Sequence, residues 1–260
     1  GFILKHSHYM PWMGHLPMLL HPAPKEALVI CFGTGQTANA VRKENPASLD
    51  IVDINANVFR LARHFHANEK VLADPRVNTI VMDGRAYMRR TDKTYGVIPL
   101  EPMPPSFAGV NALYSEEFYR LAKKRLGARG IIAQWLPFHL VPPDYRGAIA
   151  RTFQNVFPNS ILWVDPPSGT GILVGSADDA GDLGTALPGF SRPGIKRDLS
   201  RKAVLKAVSL DRKALREYGG NSDIVTDDNQ LLSYGKAAWL MRDQWSGGNR
   251  AHPADKAPAP

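Results

Sequence analysis

The 260-residue sequence contains a single cysteine and no long hydrophobic segment. Cys31 alone cannot form an intrachain disulfide or a metal site built from several cysteines. It lies in an apolar segment that we predict to be a buried strand. A free thiol there behaves as a small apolar residue, so we expect no catalytic thiol. No apolar run approaches the roughly 18 residues that are needed to span a bilayer, so the sequence predicts no membrane span.

Two further features are absent, a metal-binding pattern and a secretory signal. The eight histidines show no spacing that is typical of a metal site. The closest pair, His64 and His66, would project from divergent faces of the helix predicted there, so we predict no bound metal.

The first nine residues lack a starting methionine and lack the basic stretch and long apolar core of a signal peptide. We therefore expect the sequence to begin at a cut edge.

Positive charge is in excess, but it is concentrated in one segment. The formal net charge is +8, with 44% hydrophobic and 22% charged residues, a composition that is ordinary for a soluble globular protein. Much of the charge lies between Lys196 and Arg216, where apolar residues recur at helical spacing. We interpret this segment as a helical hairpin with a solvated basic face. Because no aromatic residues accompany the charges, we do not expect nucleic-acid binding.

Seven apolar runs alternate with helical stretches along most of the chain. We predict strands at residues 27–32, 49–54, 77–82, 95–100, 130–136, 160–164 and 171–174. This alternation predicts a parallel, doubly wound α/β sheet with helices on both faces. The last two strands are joined only by Asp165 to Thr170, a connection that permits only an antiparallel pair. A mostly parallel seven-stranded sheet with an antiparallel C-terminal hairpin is the Rossmann-like fold of class I S-adenosylmethionine-dependent transferases.

A glycine-rich turn joins the first predicted strand to the first predicted helix. Gly33, Thr34 and Gly35 form this turn, and Asp53 ends the next strand. This is the spacing of a nucleoside-binding βαβ unit, in which glycines let the backbone approach the ligand and the carboxylate accepts hydrogen bonds from ribose hydroxyls. Tight turns also recruit glycine for packing alone, but the flanking strand and helix favour ligand binding. We therefore predict that these four residues bind a nucleoside.

In an open α/β sheet the ligand lies at the carboxyl ends of the strands, and two further acidic residues lie there. Asp83 is placed to accept a hydrogen bond from an adenine amino group, with Gly84 letting the ring approach. A strand-ending aspartate is also a common helix N-cap, and for Asp83 alone that alternative stays open. Glu101 precedes a stiff, proline-dense loop that can hold the carboxylate against a substrate. We predict that Glu101 deprotonates or orients an amine without a metal; a solvated glutamate at the sheet rim is the alternative.

Five segments follow one another in a recognisable order. They are residues 15–25, which begin His15-Leu-Pro, the glycine turn, Val81-Met-Asp-Gly84, Leu113-Tyr-Ser-Glu-Glu-Phe-Tyr119 and Gly130-Ile-Ile-Ala-Gln134. Together they resemble the spermidine synthase, or polyamine aminopropyltransferase, family over roughly residues 9–176. The resemblance is closest to a subgroup of the family that is often fused to a multi-pass membrane region. The segments shared with this subgroup are Glu101-Pro102, Ala108-Gly109, Gln134-Trp-Leu136 and Thr226-Asp-Asp228.

The resemblance implies further site residues and partners. It places substrate contacts at Tyr9, Tyr114, Gln134, Asp227 and Asp228, and it implies catalysis by Glu101. The implied co-substrate is S-adenosylmethionine or its decarboxylated form, and the implied partner is a small-molecule nucleophile such as a polyamine. The resemblance also allows a homodimer. It implies a cytoplasmic location, at the cytoplasmic face of a membrane if a membrane region lies outside this sequence.

The resemblance also suggests four parts of the chain. Residues 1–26 are then an N-terminal segment that remains from the N-terminal region of the synthases. Residues 27–180 form the Rossmann-like, nucleoside-binding catalytic domain, with helices predicted at 36–44, 56–65, 115–126 and 144–153. Residues 181–244 form a C-terminal helical extension. The tail at 245–260 is rich in Pro, Gly and Ala, and we expect it to be disordered.

Three carboxylates of the family pattern are missing from this sequence. The family has acidic residues before the His-x-Pro segment, in the glycine turn and at the end of an Asp-x-x-Asp loop. The corresponding residues here are Pro11, Thr34 and Pro104. These carboxylates pair with cationic amines in the family, and a buried ammonium without a counter-charge is strongly disfavoured. We therefore predict a poor putrescine aminopropyltransferase.

Three hypotheses follow for the function. The first is an enzyme that transfers an aminopropyl or other alkyl group to a nucleophile oriented by Glu101. The second is a methyltransferase-like enzyme, favoured if Thr34 and nearby backbone amides accept the amino acid carboxylate of intact S-adenosylmethionine. The third is a non-catalytic nucleoside-binding domain. Binding of decarboxylated or intact S-adenosylmethionine separates the first two, and nucleoside binding without turnover would favour the third.

Overall fold

A mixed eight-stranded sheet forms the centre of the protein, in a computed structural model that describes residues 9–179, 183–193 and 200–233. The strands are β1 (Glu26–Ile30), β2 (Ser48–Asp53), β3 (Val77–Val81), β4 (Tyr95–Leu100), β5 (Leu126–Leu136), β6 (Ser160–Val164), β7 (Gly171–Ser176) and β8 (Val208–Leu210). Their order across the sheet is β3-β2-β1-β4-β5-β7-β6-β8. Strands β1 to β5 pair in parallel, and β6, β7 and β8 pair antiparallel. The predicted class of fold is confirmed.

The sheet contains one strand more than the seven predicted. Strand β8 lies in the basic segment interpreted above as a helical hairpin, so that interpretation and the purely helical C-terminal extension are wrong at this point. Two short helices flank the strand instead, Arg201–Lys206 and Arg212–Gly219. Strand β8 pairs with the outer edge of β6. Without β8, the backbone donors and acceptors along that edge of β6 would be unpaired. This requirement outweighs the helical spacing of so short a segment.

Helices cover both faces of the sheet. They are α1 (Tyr9–Leu20), α2 (Gln36–Lys43), α3 (Ala56–Leu61), α4 (Gly84–Arg90), α5 (Glu116–Arg125), α6 (Pro143–Val156), α7 (Arg201–Lys206) and α8 (Arg212–Gly219). Helices α1 and α2 belong to one apolar cluster with Val29 and Val97. Helices α4, α5 and α6 belong to the other, with Leu28 and Ile98. Successive strand residues thus face opposite clusters, and double coverage explains why these strands are continuous apolar runs.

Helix α1 is a buried element within the segment at 1–26. Trp12, Met13 and Leu16 are at most 1% exposed, so the helix is apolar on more than one side. Gly14 lets α1 approach α2, because a Cβ atom there would lie 2.5 Å from the backbone oxygen of Thr37. This close contact carries the first residues of α1 to the carboxyl ends of the central strands.

Two predicted helices differ in detail from the observed ones. The helix predicted for residues 115–126 spans Glu116–Arg125, and Ser115 caps it, with the Ser115 hydroxyl accepting from the backbone N–H of Phe118 at 3.3 Å. The helix predicted for residues 56–65 ends at Leu61 and continues as short 3-10 turns. The side-chain amide of Asn68 donates to the Ala62 carbonyl at 2.7 Å, in place of a helical N–H. No helix in the described part of the chain is long and apolar enough to cross a membrane. The tail predicted to be disordered, 245–260, lies outside the described residues.

Candidate functional site

A cavity of about 490 Å³ lies at the carboxyl ends of β1, β2 and β4. Its walls include the turn after β1, the end of β2, the start of the loop after β4, and Trp135 near the end of β5. Asp53 and Glu101 are the two acidic side chains in these walls, so we call it the carboxylate cavity. Its position is the one that an open α/β sheet favours for a ligand.

The glycine turn forms one wall of the carboxylate cavity. Gly33 and Thr34 line it, and a Cβ atom at Gly33 would meet nothing within 4 Å. Gly33 has a φ of +52° and Gly35 has a φ of +84°, values that residues other than glycine rarely adopt. Gly35 does not line the cavity, and a Cβ there would lie 2.6 Å from the Phe32 ring. Gly33 therefore leaves room for a ligand, whereas Gly35 serves the turn and its packing.

Asp53 is held in place by two backbone amides. Its Oδ2 accepts from the N–H of Phe32 at 2.8 Å, and its Oδ1 accepts from the N–H of Asn55 at 2.9 Å. A carboxylate has about four acceptor positions, so both oxygens keep capacity for further donors. Ile54, 72% exposed, lines the cavity beside it. This wall therefore combines a fixed carboxylate with an apolar surface.

Asp83 and Gly84 have structural roles at the start of α4. Asp83 is the N-cap, and its Oδ1 accepts from the N–H of Ala86 at 2.8 Å. A Cβ at Gly84 would lie 2.5 Å from the Ile30 side chain, so glycine permits α4 to pack against β1. Neither residue lines the carboxylate cavity. The capping alternative is therefore observed for Asp83, and its contact with an adenine stays a prediction.

Glu101 is largely buried and receives two hydroxyl hydrogen bonds. Tyr9, at the start of α1, donates to Oε1 at 2.8 Å, and Thr37 in α2 lies within donating distance of Oε2 at 3.0 Å. Burial raises the pKa of the Glu101 carboxyl, and the two hydrogen bonds counteract part of this rise. Burial, followed by the charge of Glu101, raises the pKa of the Tyr9 hydroxyl. The arrangement suits a carboxylate that can accept a proton.

Thr37 and Met10 are site residues that the sequence does not reveal. The Thr37 hydroxyl lies 3.0 Å from the Met10 carbonyl as well as 3.0 Å from Glu101. The Met10 sulfur accepts from the side-chain amide of Gln36 at 3.3 Å. The only signal in the sequence is a hydroxyl in the first turn after the glycines, which also suits an ordinary helix start. Their roles depend on the packing of α1 against α2.

An aromatic pair lies next to Glu101, and of its two members Trp135 lines the cavity whereas Tyr9 does not. The rings of Tyr9 and Trp135 are stacked, with centroids 5.7 Å apart and an angle of 11° between their planes. Cys31 lines the cavity nearby with a φ of +70°. Burial, followed by the charges of Asp53 and Glu101, raises the pKa of the Cys31 thiol to about 12. The thiol is therefore neutral at physiological pH, which does not favour a nucleophilic role.

Tyr114 and Gln134 lie behind Trp135 rather than in the cavity wall. Both are fully buried. The Tyr114 hydroxyl and the Gln134 amide approach the Trp135 carbonyl at 3.4 and 3.3 Å. They therefore support the strand that carries Trp135, and their predicted contact with substrate stays a prediction.

Asp227 joins the C-terminal part of the chain to the domain. Arg85 donates to both of its carboxylate oxygens, one at 2.6 Å, and the Ser115 hydroxyl donates at 2.7 Å. The hydrogen bonds from Arg85 in particular hold the pKa of Asp227 below its ordinary value. Asp228 is exposed, and neither aspartate lines the carboxylate cavity. Among the described residues, no group of three or more His, Cys, Asp or Glu side chains could hold a metal ion.

Comparisons with known proteins match the chain over most of its described length. A family model described as the spermine/spermidine synthase domain matches residues 6–163. Polyamine aminopropyltransferase 2 of Pseudomonas aeruginosa is 32% identical over 145 residues, which are 54% of this chain and 42% of that protein. The chain thus matches less than half the length of this relative.

Two solved structures share the fold. The spermidine synthase of Thermotoga maritima aligns with a TM-score of 0.63 and 21% identity, over 82% of this chain and 74% of that one. Human methyltransferase-like protein 13, solved in complex with SAH, aligns with a TM-score of 0.51 and 18% identity, over 84% and 93% of the two chains.

Proposed function

The chain belongs to the spermine/spermidine synthase family, and from this premise we propose that it is a transferase. The proposed donor is S-adenosylmethionine or its decarboxylated form. The enzyme transfers an aminopropyl or other alkyl group from this donor to an amine-type nucleophile. One observation carries the proposal: Asp53 at the end of β2 and Glu101 directly after β4 line the same cavity.

The nucleoside half of the donor occupies the wall formed by the glycine turn and Asp53. Open space at Gly33 leaves room for the ligand next to the backbone. The remaining acceptor positions of Asp53 accept hydrogen bonds from the ribose hydroxyls, and Ile54 offers an apolar surface to the base. The donor sulfonium then lies between this wall and Glu101.

Glu101 receives the proton that the nucleophile releases. The amine nitrogen attacks the carbon next to the sulfonium, the new N–C bond forms as the C–S bond breaks, and the neutral thioether leaves. The proton of the nitrogen passes to Glu101, whose raised pKa makes it a better proton acceptor than a solvated glutamate. Tyr9 and Thr37 orient the carboxylate through the two hydrogen bonds described above.

Calorimetry with methylthioadenosine tests the nucleoside half. Asp53→Ala removes a charge-assisted contact, so we expect the affinity to fall by about 10- to 150-fold. Asp92→Ala, at an exposed aspartate outside the cavity, is the matched control. Thermal unfolding verifies that both variants are folded. Unchanged affinity in folded Asp53→Ala would remove Asp53 from the site.

Putrescine should be a poor substrate. It carries two ammonium groups, and the decarboxylated donor carries an ammonium and a sulfonium. The family carboxylates that would pair with these cations correspond to Pro11, Thr34 and Pro104 here. Losing two contacts of about 1.5 to 3 kcal/mol each would weaken recognition by roughly two to four orders of magnitude. The measurement is spermidine formation from putrescine and decarboxylated S-adenosylmethionine. A kcat of about 1 s⁻¹ or more would contradict the argument.

A methyltransferase-like activity is the second candidate. It is favoured by the neutral donors beside the glycine turn: Gln36 donates to Met10 and to the Thr34 hydroxyl, both at 3.3 Å. Neutral donors can accommodate the carboxylate of intact S-adenosylmethionine, which the decarboxylated donor lacks. Comparing the affinities of the two donors by calorimetry separates the candidates. Tighter binding of the intact donor would favour the methyltransferase.

A further inference from the structure

A second cavity, of about 340 Å³, lies on the other side of the loop after β4. Pro104 lines both this cavity and the carboxylate cavity, so the two are adjacent. Pro104 lies three positions after Glu101, at most about 11 Å of extended chain away. This distance is within the length of a small molecule whose nitrogen lies at Glu101.

The walls of this second cavity are mostly apolar, and we call it the apolar cavity. They include Phe107, Phe138, Leu140, Val141 and Leu232. Phe107 is 51% exposed and Leu140 is 41% exposed, which leaves large hydrophobic surfaces at its entrance. Covering apolar surface of this kind with an apolar group of a ligand lowers the free energy and so favours binding.

The described walls of the apolar cavity offer no carboxylate to a polyamine. Among the residues that the structure describes, its walls contain no aspartate or glutamate, and they do contain Arg146. Arg146 donates to the carbonyls of Val141 at 2.8 Å and Phe138 at 2.7 Å, which holds the guanidinium beside the Phe138 ring. A second ammonium of a substrate would therefore find no carboxylate among these wall residues to pair with.

We propose that the apolar cavity receives the tail of the nucleophile, so that the acceptor is a monoamine with an alkyl or aryl group and not a polyamine. This inference rests on the proposed function, because it takes Glu101 as the residue that meets the amine. The nitrogen lies at Glu101, and the apolar group passes Pro104 into the apolar cavity. The loop after β4 then contacts both ends of the acceptor.

A matched pair of amines tests the inference. Hexylamine and cadaverine have the same number of heavy atoms, but cadaverine ends in a second ammonium where hexylamine ends in a methyl group. We expect the protein to bind hexylamine about 10- to 100-fold more tightly than cadaverine in calorimetry. Equal affinities, tighter binding of cadaverine, or no measurable binding of either amine would overturn the inference.

Leu140→Asp places a carboxylate in the apolar cavity and should reverse the preference. We expect the ratio of the two affinities to shift toward cadaverine by about 10-fold or more. Leu61→Asp is the matched control, because Leu61 is 51% exposed and lines neither cavity. Phe107→Asp repeats the test if Leu140→Asp fails to fold. An unchanged ratio in the folded variant would show that the tail does not lie there.

Each titration is run with and without saturating methylthioadenosine, so that two failures can be told apart. If methylthioadenosine does not bind, the proposed nucleoside site fails, and the amine preference is still measured in the nucleoside-free arm. If methylthioadenosine binds but the protein does not prefer hexylamine, the transferase proposal stands and this inference fails.

Discussion

The hydroxyl of Thr37 has one proton and two acceptors at equal distance. When Glu101 is ionised, Thr37 can donate to Oε2. When Glu101 takes up a proton at Oε2, that proton can be donated to the Thr37 oxygen while the hydroxyl turns to the Met10 carbonyl. The Thr37 hydroxyl can thus form a hydrogen bond with Glu101 whether the carboxyl group is ionised or protonated. This favours proton uptake at a buried carboxylate.

Substitution of Thr37 should change the pH dependence of turnover. In Thr37→Val a hydrogen bond to the charged form is lost, so the pKa of Glu101 rises further and the acidic limb of kcat/KM moves to higher pH. The other titratable groups around Glu101 are Tyr9, Cys31 and Tyr114. At neutral pH we expect kcat/KM to fall by about 10- to 150-fold, as the loss of one charge-assisted hydrogen bond implies.

Two further variants complete this experiment. Thr37→Ser keeps the hydroxyl and should restore the profile of the unmodified protein. Glu101→Gln removes the base, so turnover should fall by roughly 10²- to 10⁴-fold while methylthioadenosine still binds. Identical pH profiles for the unmodified protein and Thr37→Val would rule out the role of the hydroxyl.

At the scale of elements, the contact between α1 and α2 determines the site. Helix α1 supplies Tyr9 and Met10, α2 supplies Thr37, and Gly14 lies where the two helices are closest. No side chain fits at Gly14, since the atoms that a Cβ would meet at 2.5 and 3.0 Å belong to the backbone of Thr37 and Val41. The glycine is therefore required by packing.

Gly14→Ala should destabilise the protein although alanine favours helices. The gain in helix propensity is about 1 kcal/mol, whereas overpacking against a rigid backbone costs typically about 1 to 3 kcal/mol. We expect a net loss of unfolding free energy of up to about 2 kcal/mol, measured by urea denaturation. Gly127→Ala on β5 is the control, because the nearest atom to its added Cβ is 3.8 Å away. A stabilised Gly14→Ala would refute the packing argument.

Elements were predictable where local pattern and tertiary packing agree. Strands β1, β4, β6 and β7 are apolar runs because both faces are covered, whereas the edge strand β3 is partly exposed. Asp53 and Glu101 follow from their positions at the ends of strands. Helix α1 was not predicted, since Pro11 and Pro17 lie within it and its apolar residues surround more than one face. Strand β8 depends on the edge of β6, and Thr37 depends on α1. Such features depend on neighbours that are distant in the chain.

At the scale of the whole molecule, buried carboxylates join distant segments. Glu44 accepts from His15 of α1 at 2.9 Å and from Arg192 of the 183–193 segment at 2.6 Å. Asp50, 1% exposed in β2, accepts from Tyr87, Lys93, Tyr95 and Asn78 at 2.8 to 3.0 Å. The stability of the fold should therefore depend on pH.

The Asp50 network predicts the direction of that dependence. Burial alone would raise the pKa of Asp50, but the four hydrogen bonds outweigh it and lower the pKa in the folded state. A carboxyl with a lowered folded pKa contributes stability above its unfolded pKa of about 3.9, and this contribution is lost as the pH falls through the folded pKa. Acid should therefore weaken this part of the sheet.

Asp50→Asn should lower the unfolding free energy by about 1 to 3 kcal/mol at neutral pH, because buried donors lose a charged acceptor. The difference from the unmodified protein should shrink as the pH falls below about 4. Urea denaturation across this pH range measures both effects. Asp92→Asn at an exposed position is the control, and a difference that does not change with pH would contradict the argument.

The hydrogen bond between Tyr9 and Glu101 joins residues 92 positions apart in the chain. The contact between Phe32 and Asp53 spans only 21 positions within one βαβ unit. Closing a longer loop costs more chain entropy, and contacts between distant residues form more slowly during folding. The wall that we propose to bind the nucleoside should therefore assemble early, and the surroundings of Glu101 are completed only when the first helix docks. During synthesis or refolding, we therefore expect the proposed donor site to form before the proposed proton acceptor is in place.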